Sequence, residues 1–169
     1  TVCDVMPLYG ANRAIVKEGL QYFNSRQVLP GIKALIKALD LDTHQKEDDY
    51  GFKIGPVFNA SGRLHDNGAE RVLRLLKMKA GDVKLDFKAE NLKKTNEKRK
   101  EITKKDYERV LLKYDGSRPI VVYDDEIGEG IIGLIAGKLT EQFHCPAIVF
   151  TKTEKEGIIK GSGRSIPEV

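Results

Sequence analysis

Lys160-Gly161-Ser162-Gly163-Arg164-Ser165 is the stretch of this 169-residue chain best suited to chemistry. Gly161 and Gly163 flank a hydroxyl and precede an arginine, so the backbone can approach a ligand while Ser162 and Arg164 supply a donor and a planar cationic fork. Those groups suit a phosphate. The same residues also fit a plain hairpin with Lys155-Glu156-Gly157 as its turn, in which Ser162 and Arg164 would only tie strands together.

Three weaker signals accompany this one. Asp4 sits at the end of a β-branched, apolar stretch, Thr1 to Met6, closed by Pro7. A carboxylate in a buried strand would be costly to desolvate unless it were paired or held a metal. Gly128, Gly130, Gly133 and Gly137 surround a helix start, where free N–H groups could face an anion. The dinucleotide fingerprint is not in register there, because Asp124, Asp125 and Glu126 intervene, and helix-on-sheet packing explains Gly133 and Gly137 more simply. Lys93, Lys94, Lys98, Arg99, Lys100, Lys104 and Lys105 form a basic run that reads as a solvated helix face or as a track for a nucleic-acid backbone. His44, His65 and His144 have no partners at metal-ligand spacing.

Composition sets the frame for these signals. Hydrophobic residues make up 40% of the chain and charged residues 32%, with a net charge of +4. A core can form, and the basic bias is compatible with a nucleic-acid partner without requiring one. Cys3 and Cys145 are far apart and read as reduced thiols of a cytoplasmic protein. Neither a signal peptide nor an apolar run long enough to span a bilayer is present, so a soluble protein is expected. The opening on Thr1 and the stop just beyond the glycine run suggest a piece of a larger protein.

The elements that would position these residues give an α/β chain in three parts. Residues 1–81 read as mostly helical. Asn12 is a candidate N-cap for a helix with Ile15, Val16, Leu20 and Phe23 on one face. Gln27 to Pro30 is a loop, and Pro30 opens a second helix with Ile32, Leu35, Ile36 and Leu39 inward. Asp40 to Asp49 is a polar surface connection. Phe52 to Leu64 stays apolar while fitting neither the helical nor the strand period, which marks it as a candidate site. Asp66 or Asn67 caps a further helix that ends at Gly81.

Residues 82–114 lack Gly and Pro and read as one connecting helix of roughly 45 to 50 Å. Its apolar row is broken by Thr95, Asn96 and Arg99, which argues against a continuous core partner there. Residues 115–169 give a buried strand at Pro119 to Tyr123, a helix from Gly128 to Phe143, a strand at Ala147 to Phe150, and then the phosphate-suited glycine loop.

Taken in order, the runs Thr1 to Leu8, Asn12-Arg13, Gly55-Pro56-Val57-Phe58-Asn59-Ala60-Ser61-Gly62-Arg63-Leu64, Gly130-Ile131-Ile132-Gly133-Leu134-Ile135-Ala136-Gly137-Lys138-Leu139 and Lys160 to Ser165 resemble RecJ-type single-strand-specific DNA exonucleases of the DHH phosphoesterase superfamily. The resemblance covers essentially the whole chain. It implies the C-terminal part of a DHH catalytic domain (1–81), a connecting helix (82–114) and a small mixed-sheet DHH-associated domain (115–169).

It also implies an enzyme that digests single-stranded DNA from a 5′ phosphate with Mn²⁺ or Mg²⁺, with roles in repair and recombination. The implied metal ligand is Asp4. The implied phosphate-binding residues are Asn59 and Arg63 together with Gly161, Ser162, Gly163 and Arg164. The Asp-x-Asp and Asp-His-His motifs of the family are absent, and Gly128 stands where the family often has histidine. The chain alone is therefore expected to be inactive. The alternatives are a sister phosphodiesterase acting on short oligonucleotides or cyclic dinucleotides, and a non-catalytic nucleic-acid-binding module.

Overall fold

The computed structural model describes residues 2–25, 28–42 and 44–167. The chain divides into two units, Thr1–Glu97 and Lys98–Val169. The division falls inside one long helix.

The first unit is helical. Val2–Asp4 forms a single 3₁₀ turn, with Asp4 exposed. This corrects the buried strand expected over Thr1 to Met6, of which Thr1 lies outside the described residues. The β-branched composition finds no neighbouring strand among the described residues of the first unit to pair with, and the turn packs instead on the helix that follows residue 48. Helix α1 spans Gly10–Asn24. Asn12 does not cap it, because its side-chain amide donates to the Pro7 carbonyl at 3.1 Å and ties down the preceding loop. Ile15, Val16, Leu20 and Phe23 do share a face, but none is fully buried. They line an apolar groove of about 270 Å³ together with Tyr50, Ile54 and Phe58.

Helix α2, Pro30–Ala38, follows the expected pattern. Proline occupies the first turn, where its missing N–H costs nothing, and Ile32 and Leu35 are buried. Of the loop before it, Gln27 lies outside the described residues. The polar connection from Asp40 is anchored rather than merely solvated. Gln45 is buried and exchanges two 2.8 Å bonds with the Asn24 side chain.

Asp49–Ile54 is a π-helix that runs directly into α3, Gly55–Leu64. The stretch expected to break both periods is thus helical throughout. Its period is displaced by the wider π turn, which is why the apolar spacing reads as irregular. Asp49 accepts from the Lys46 amide at 2.9 Å and pairs with Lys53 at 2.7 Å, and these bonds hold its carboxyl below the usual carboxylate range.

Helix α4, Gly68–Leu76, packs on α2 and α3. Asn67 precedes it without a side-chain cap bond, its Oδ1 accepting from Arg71 instead. The core of the unit joins Ala34, Leu35, Ile54, Val57 and Leu75 to Ala89 and Leu92 of the long helix. Each fully buried Leu, Ile or Val there contributes about 1.5–3 kcal/mol relative to exposure.

Helix α5 is Leu85–Lys113. Its 29 residues span about 43 Å at 1.5 Å per residue. Of the polar interruption Thr95, Asn96 and Arg99, only Asn96 is buried, and further along the helix Thr103 and Asp106 are buried polar groups too.

The second unit places β1 (Ile120–Tyr123), α6 (Ile132–Phe143), β2 (Ala147–Lys152) and β3 (Ile159–Arg164) around a three-stranded sheet. The strand order is β1-β2-β3, with β1 parallel and β3 antiparallel to β2. That is the mixed sheet expected of this part. Helix α6 starts at Ile132 instead of Gly128, after a loop from 124 to 131. Strand β1 is only half buried, with Ile120 and Val122 inward and Val121 and Tyr123 outward.

The larger correction concerns Lys160 to Arg164. It is an edge strand and not a free loop: of the two readings left open, it takes the hairpin geometry, as the second arm after the turn at Lys155-Glu156-Gly157. Gly157 takes a φ of +75° in the connecting turn, a conformation that glycine adopts without strain.

Candidate functional site

Strand β3 sets the Ser162–Arg164 pair. Its register puts Lys160, Ser162 and Arg164 opposite Thr151, Val149 and Ala147 of β2, all three fully buried on the face that α6 covers. Gly161 and Gly163 fall on the other face, opposite Phe150 and Ile148. A Cβ at Gly161 would stand 2.5 Å from the Phe150 ring, and one at Gly163 3.5 Å from the Ile148 side chain. Cross-strand packing therefore accounts for the close approach at Gly161.

Across the sheet, Gly133 in the first turn of α6 faces the pair. A Cβ there would stand 3.0 Å from Ser162 Oγ and 3.2 Å from Arg164 Nη2. Gly137 has nothing comparable near it, so the packing reason expected for both glycines holds for Gly133 alone. Arg164 is held by its own strand. Nη1 donates to the Gly163 carbonyl at 2.7 Å and approaches Ser162 Oγ at 3.4 Å. The Thr140 hydroxyl on α6 donates to the Arg164 carbonyl at 3.4 Å.

The N-terminus of α6 has no side-chain cap from Ile131 and no acid in its first turn. A hydroxyl, a guanidinium and the positive end of a helix dipole thus converge at one place. Such a set stabilises an anion.

The loop that delivers α6 is fixed from several sides, by residues that sequence reasoning missed. Asp124, at the end of β1, is fully buried. It accepts from Arg109 Nε at 2.8 Å, Lys113 Nζ at 2.9 Å and the Glu126 amide at 2.9 Å. Burial alone would raise its pKa, but these donors outweigh burial and hold the carboxyl far below the usual range. Arg109 also pairs with Asp106 at 3.0 Å, whose carboxyl burial pushes up against the pull of that arginine. Thr151 donates to the Ile127 carbonyl at 2.6 Å, and Lys160 pairs with Glu129 at 2.7 Å. The available signal was an Arg and a Lys one turn apart on α5 with an acid directly after β1.

Asp4, Asn59 and Arg63 belong to the first unit. Asn59 and Arg63 lie one turn apart on α3, the former exposed and the latter half-buried. The Asp4 turn is seated on the π-helix. Cys3 Sγ lies 3.5 Å from the Tyr50 carbonyl, and a Cβ at Gly55 would come within 2.4 Å of that sulfur. Only glycine at 55 admits this contact.

Among the described residues no three His, Cys, Asp or Glu side chains come together to hold a metal ion. Asp4 is therefore at most one ligand, and the chain's own described residues do not complete a metal site. No helix among the described residues is long and apolar enough to cross a membrane.

No family model matches the chain. Individual proteins do. The single-stranded-DNA-specific exonuclease RecJ of Salmonella typhimurium is 35% identical over 98% of the chain, and the chain spans 30% of the length of that protein. RecJ of Bacillus subtilis is 33% identical over 98% of the chain, which covers 21% of it. Among solved structures, RecJ from Thermus thermophilus in complex with Mg²⁺ superposes with a TM-score of 0.80 at 30% identity. That match covers 98% of this chain and 25% of the other. A structure of exonuclease RecJ bound to manganese gives a TM-score of 0.79 at 30% identity, covering 100% of this chain and 41% of the other. The agreement extends over both units, in sequence and in fold, and these 169 residues are a RecJ-type segment.

Proposed function

We propose that this segment belongs to a metal-dependent exonuclease that hydrolyses single-stranded DNA from a 5′-phosphorylated end. Its share of the work is to hold phosphates. The observation that carries the reading is the meeting of Ser162 and Arg164 with the uncapped start of α6 across Gly133. Arg164 supplies a fork for two phosphate oxygens, Ser162 a donor, and the first-turn amides of α6 further donors. Asn59 and Arg63, one turn apart on α3, offer a second amide and guanidinium for the same kind of ligand.

The crystal structures of related RecJ proteins hold Mg²⁺ or Mn²⁺. In a nuclease such ions activate water and steady the leaving oxygen. On this reading Asp4, exposed on its 3₁₀ turn, contributes one ligand, with the remaining ligands supplied from elsewhere in the whole protein. A cytoplasmic role in DNA repair or recombination fits a single-strand exonuclease.

The test is Arg164→Ala in the whole protein, assayed with Mn²⁺ on matched 5′-phosphorylated and 5′-hydroxyl single strands. The expected result is a fall in rate of about 10²-fold on the phosphorylated substrate, as for a lost charge-assisted clamp on the end phosphate, with little change on the hydroxyl substrate. Unchanged turnover on both would reduce Ser162 and Arg164 to strand ties. A protein inert on every single strand would favour a binding module.

A further inference from the structure

Strand β3 carries a third polar group on the face of Ser162 and Arg164. Lys160 lies two residues before Ser162, opposite Thr151, and so projects to the α6 side. Lys160, Ser162 and Arg164 form a row with a step of about 6.7 Å, two residues of strand. That step is comparable with the separation of neighbouring phosphates along an unstacked single strand. The Lys160 ammonium is engaged with Glu129 at 2.7 Å. Glu129 stands in the loop just before α6, beside the proposed phosphate position.

We infer that Lys160 is the seat of a second, successive phosphate of a bound single strand, and that Glu129 occupies it until the strand arrives. The inference rests on the phosphate-clamp reading of Ser162 and Arg164 and extends it along β3. The Lys160 and Glu129 side chains are 57% and 39% exposed. An ion pair this wet is worth little and can be exchanged for a phosphate. A phosphate offers Lys160 the same charge-assisted bond that the carboxylate does. Glu129 would repel that phosphate until it swings away, so it sets a threshold: a lone terminal phosphate binds without displacing it, and a longer strand must displace it. Neither Lys138, whose ammonium lies 5.6 Å from the Tyr107 ring, nor Lys152, paired with Asp125 at 3.7 Å, is part of the row.

The experiment measures equilibrium binding to the whole protein in EDTA, so that no strand is cut. The ligands are thymidine 5′-monophosphate and 5′-phosphorylated oligothymidylates of two to four nucleotides. In the unaltered protein, affinity should rise from the mononucleotide to the dinucleotide. Lys160→Ala should erase about tenfold of that rise, lower the salt slope by about 0.7, and leave mononucleotide affinity intact. Glu129→Gln should strengthen binding of dinucleotides and longer strands several-fold, with no effect on the mononucleotide.

A Lys160→Ala loss equal for every length, or no loss at all, would overturn the second seat. An unchanged Glu129→Gln profile would overturn the threshold. Arg164→Ala separates these failures from failure of the clamp itself, since it should weaken every ligand including the mononucleotide. If it weakens none, the underlying reading falls.

Discussion

Gly133 of α6 and Ser162 of β3 are so close that a single methyl group at 133 would stand 3.0 Å from the serine hydroxyl. The hydroxyl and Arg164 Nη2, 3.2 Å from the same point, occupy the space a side chain would take. Alanine at this position gains helix propensity, up to about 1 kcal/mol in a helix interior. It also pushes Ser162 and Arg164 outward by a few tenths of an ångström. Gly133→Ala should therefore leave thermal stability within about 1 kcal/mol of the parent while weakening phosphate binding about tenfold. Titration with 5′-phosphorylated oligonucleotide alongside a melting curve separates the two effects. Equal loss of both would mean that Gly133 serves packing alone.

The Asp124 network makes a prediction about pH. The folded carboxyl has a pKa well below its unfolded value because Arg109, Lys113 and the Glu126 amide favour its charged form. A depressed carboxylate stabilises the fold above its unfolded pKa of about 3.9 and loses that contribution as pH falls toward the folded value. Asp124→Asn removes the fully buried charge that Arg109 and Lys113 share, while Arg109 keeps Asp106 and Glu126, and should cost about 2 kcal/mol at pH 7. The gap between variant and parent should then narrow by about 1.4 kcal/mol for each pH unit below about 3.9. Denaturant titrations at pH 7 and pH 3 check this. A gap that is constant with pH would assign the loss to packing instead of charge.

Gly161 and Phe150 make a cross-strand pair in which the ring lies over the glycine, leaving 2.5 Å for a Cβ. Gly161→Ala should destabilise the hairpin by about 1–3 kcal/mol, as overpacking does. Adding Phe150→Leu should recover most of that loss. Double-mutant analysis of melting temperature is the measurement, and strict additivity would rule the pair out as the cause.

What could be read from sequence divides along the same physical lines. Ile32, Leu35 and Ile36 announce α2 because their 3.6-residue spacing is realised against a core within the first unit. Strands β1 and β2 are legible as short β-branched runs bounded by breakers. Lys160 to Arg164 is not, because glycine lowers strand propensity and what makes it a strand is pairing with β2, outside its own sequence. Ser162 and Arg164 nevertheless stay side by side, since alternation along the strand aims both at α6.

The π-helix at Asp49–Ile54 hides the period of α3 by its wider turn. Asp124 was invisible as a hub because Arg109 and Lys113 lie among many other charges on α5, and only the fold selects them. The burial expected around Asp4 fails for a similar reason. Apolar neighbours in sequence imply burial only when a partner surface covers them, and Asp4 is exposed.

Gly68, the first residue of α4, makes the most demanding contact in the first unit. A Cβ there would stand 2.2 Å from the carbonyl carbon and oxygen of Ser61 and 2.4 Å from the Gly62 amide nitrogen. All three atoms are backbone, so no rotamer change can relieve the clash. The two helices must separate, exposing part of the contact around Val57 and Leu75, both fully buried. Gly68→Ala should thus cost at least about 2–3 kcal/mol, whereas Gly62→Ala, with open space around its Cβ, should be near neutral or slightly stabilising through helix propensity. Because α3 carries Asn59 and Arg63, the Gly68 variant should also lose affinity for phosphorylated single strands in proportion to its unfolding, while Gly62→Ala keeps it. Parallel melting and binding curves on the two variants decide the point: a Gly68→Ala protein as stable as its parent would show that α3 and α4 are not packed as closely as this contact requires.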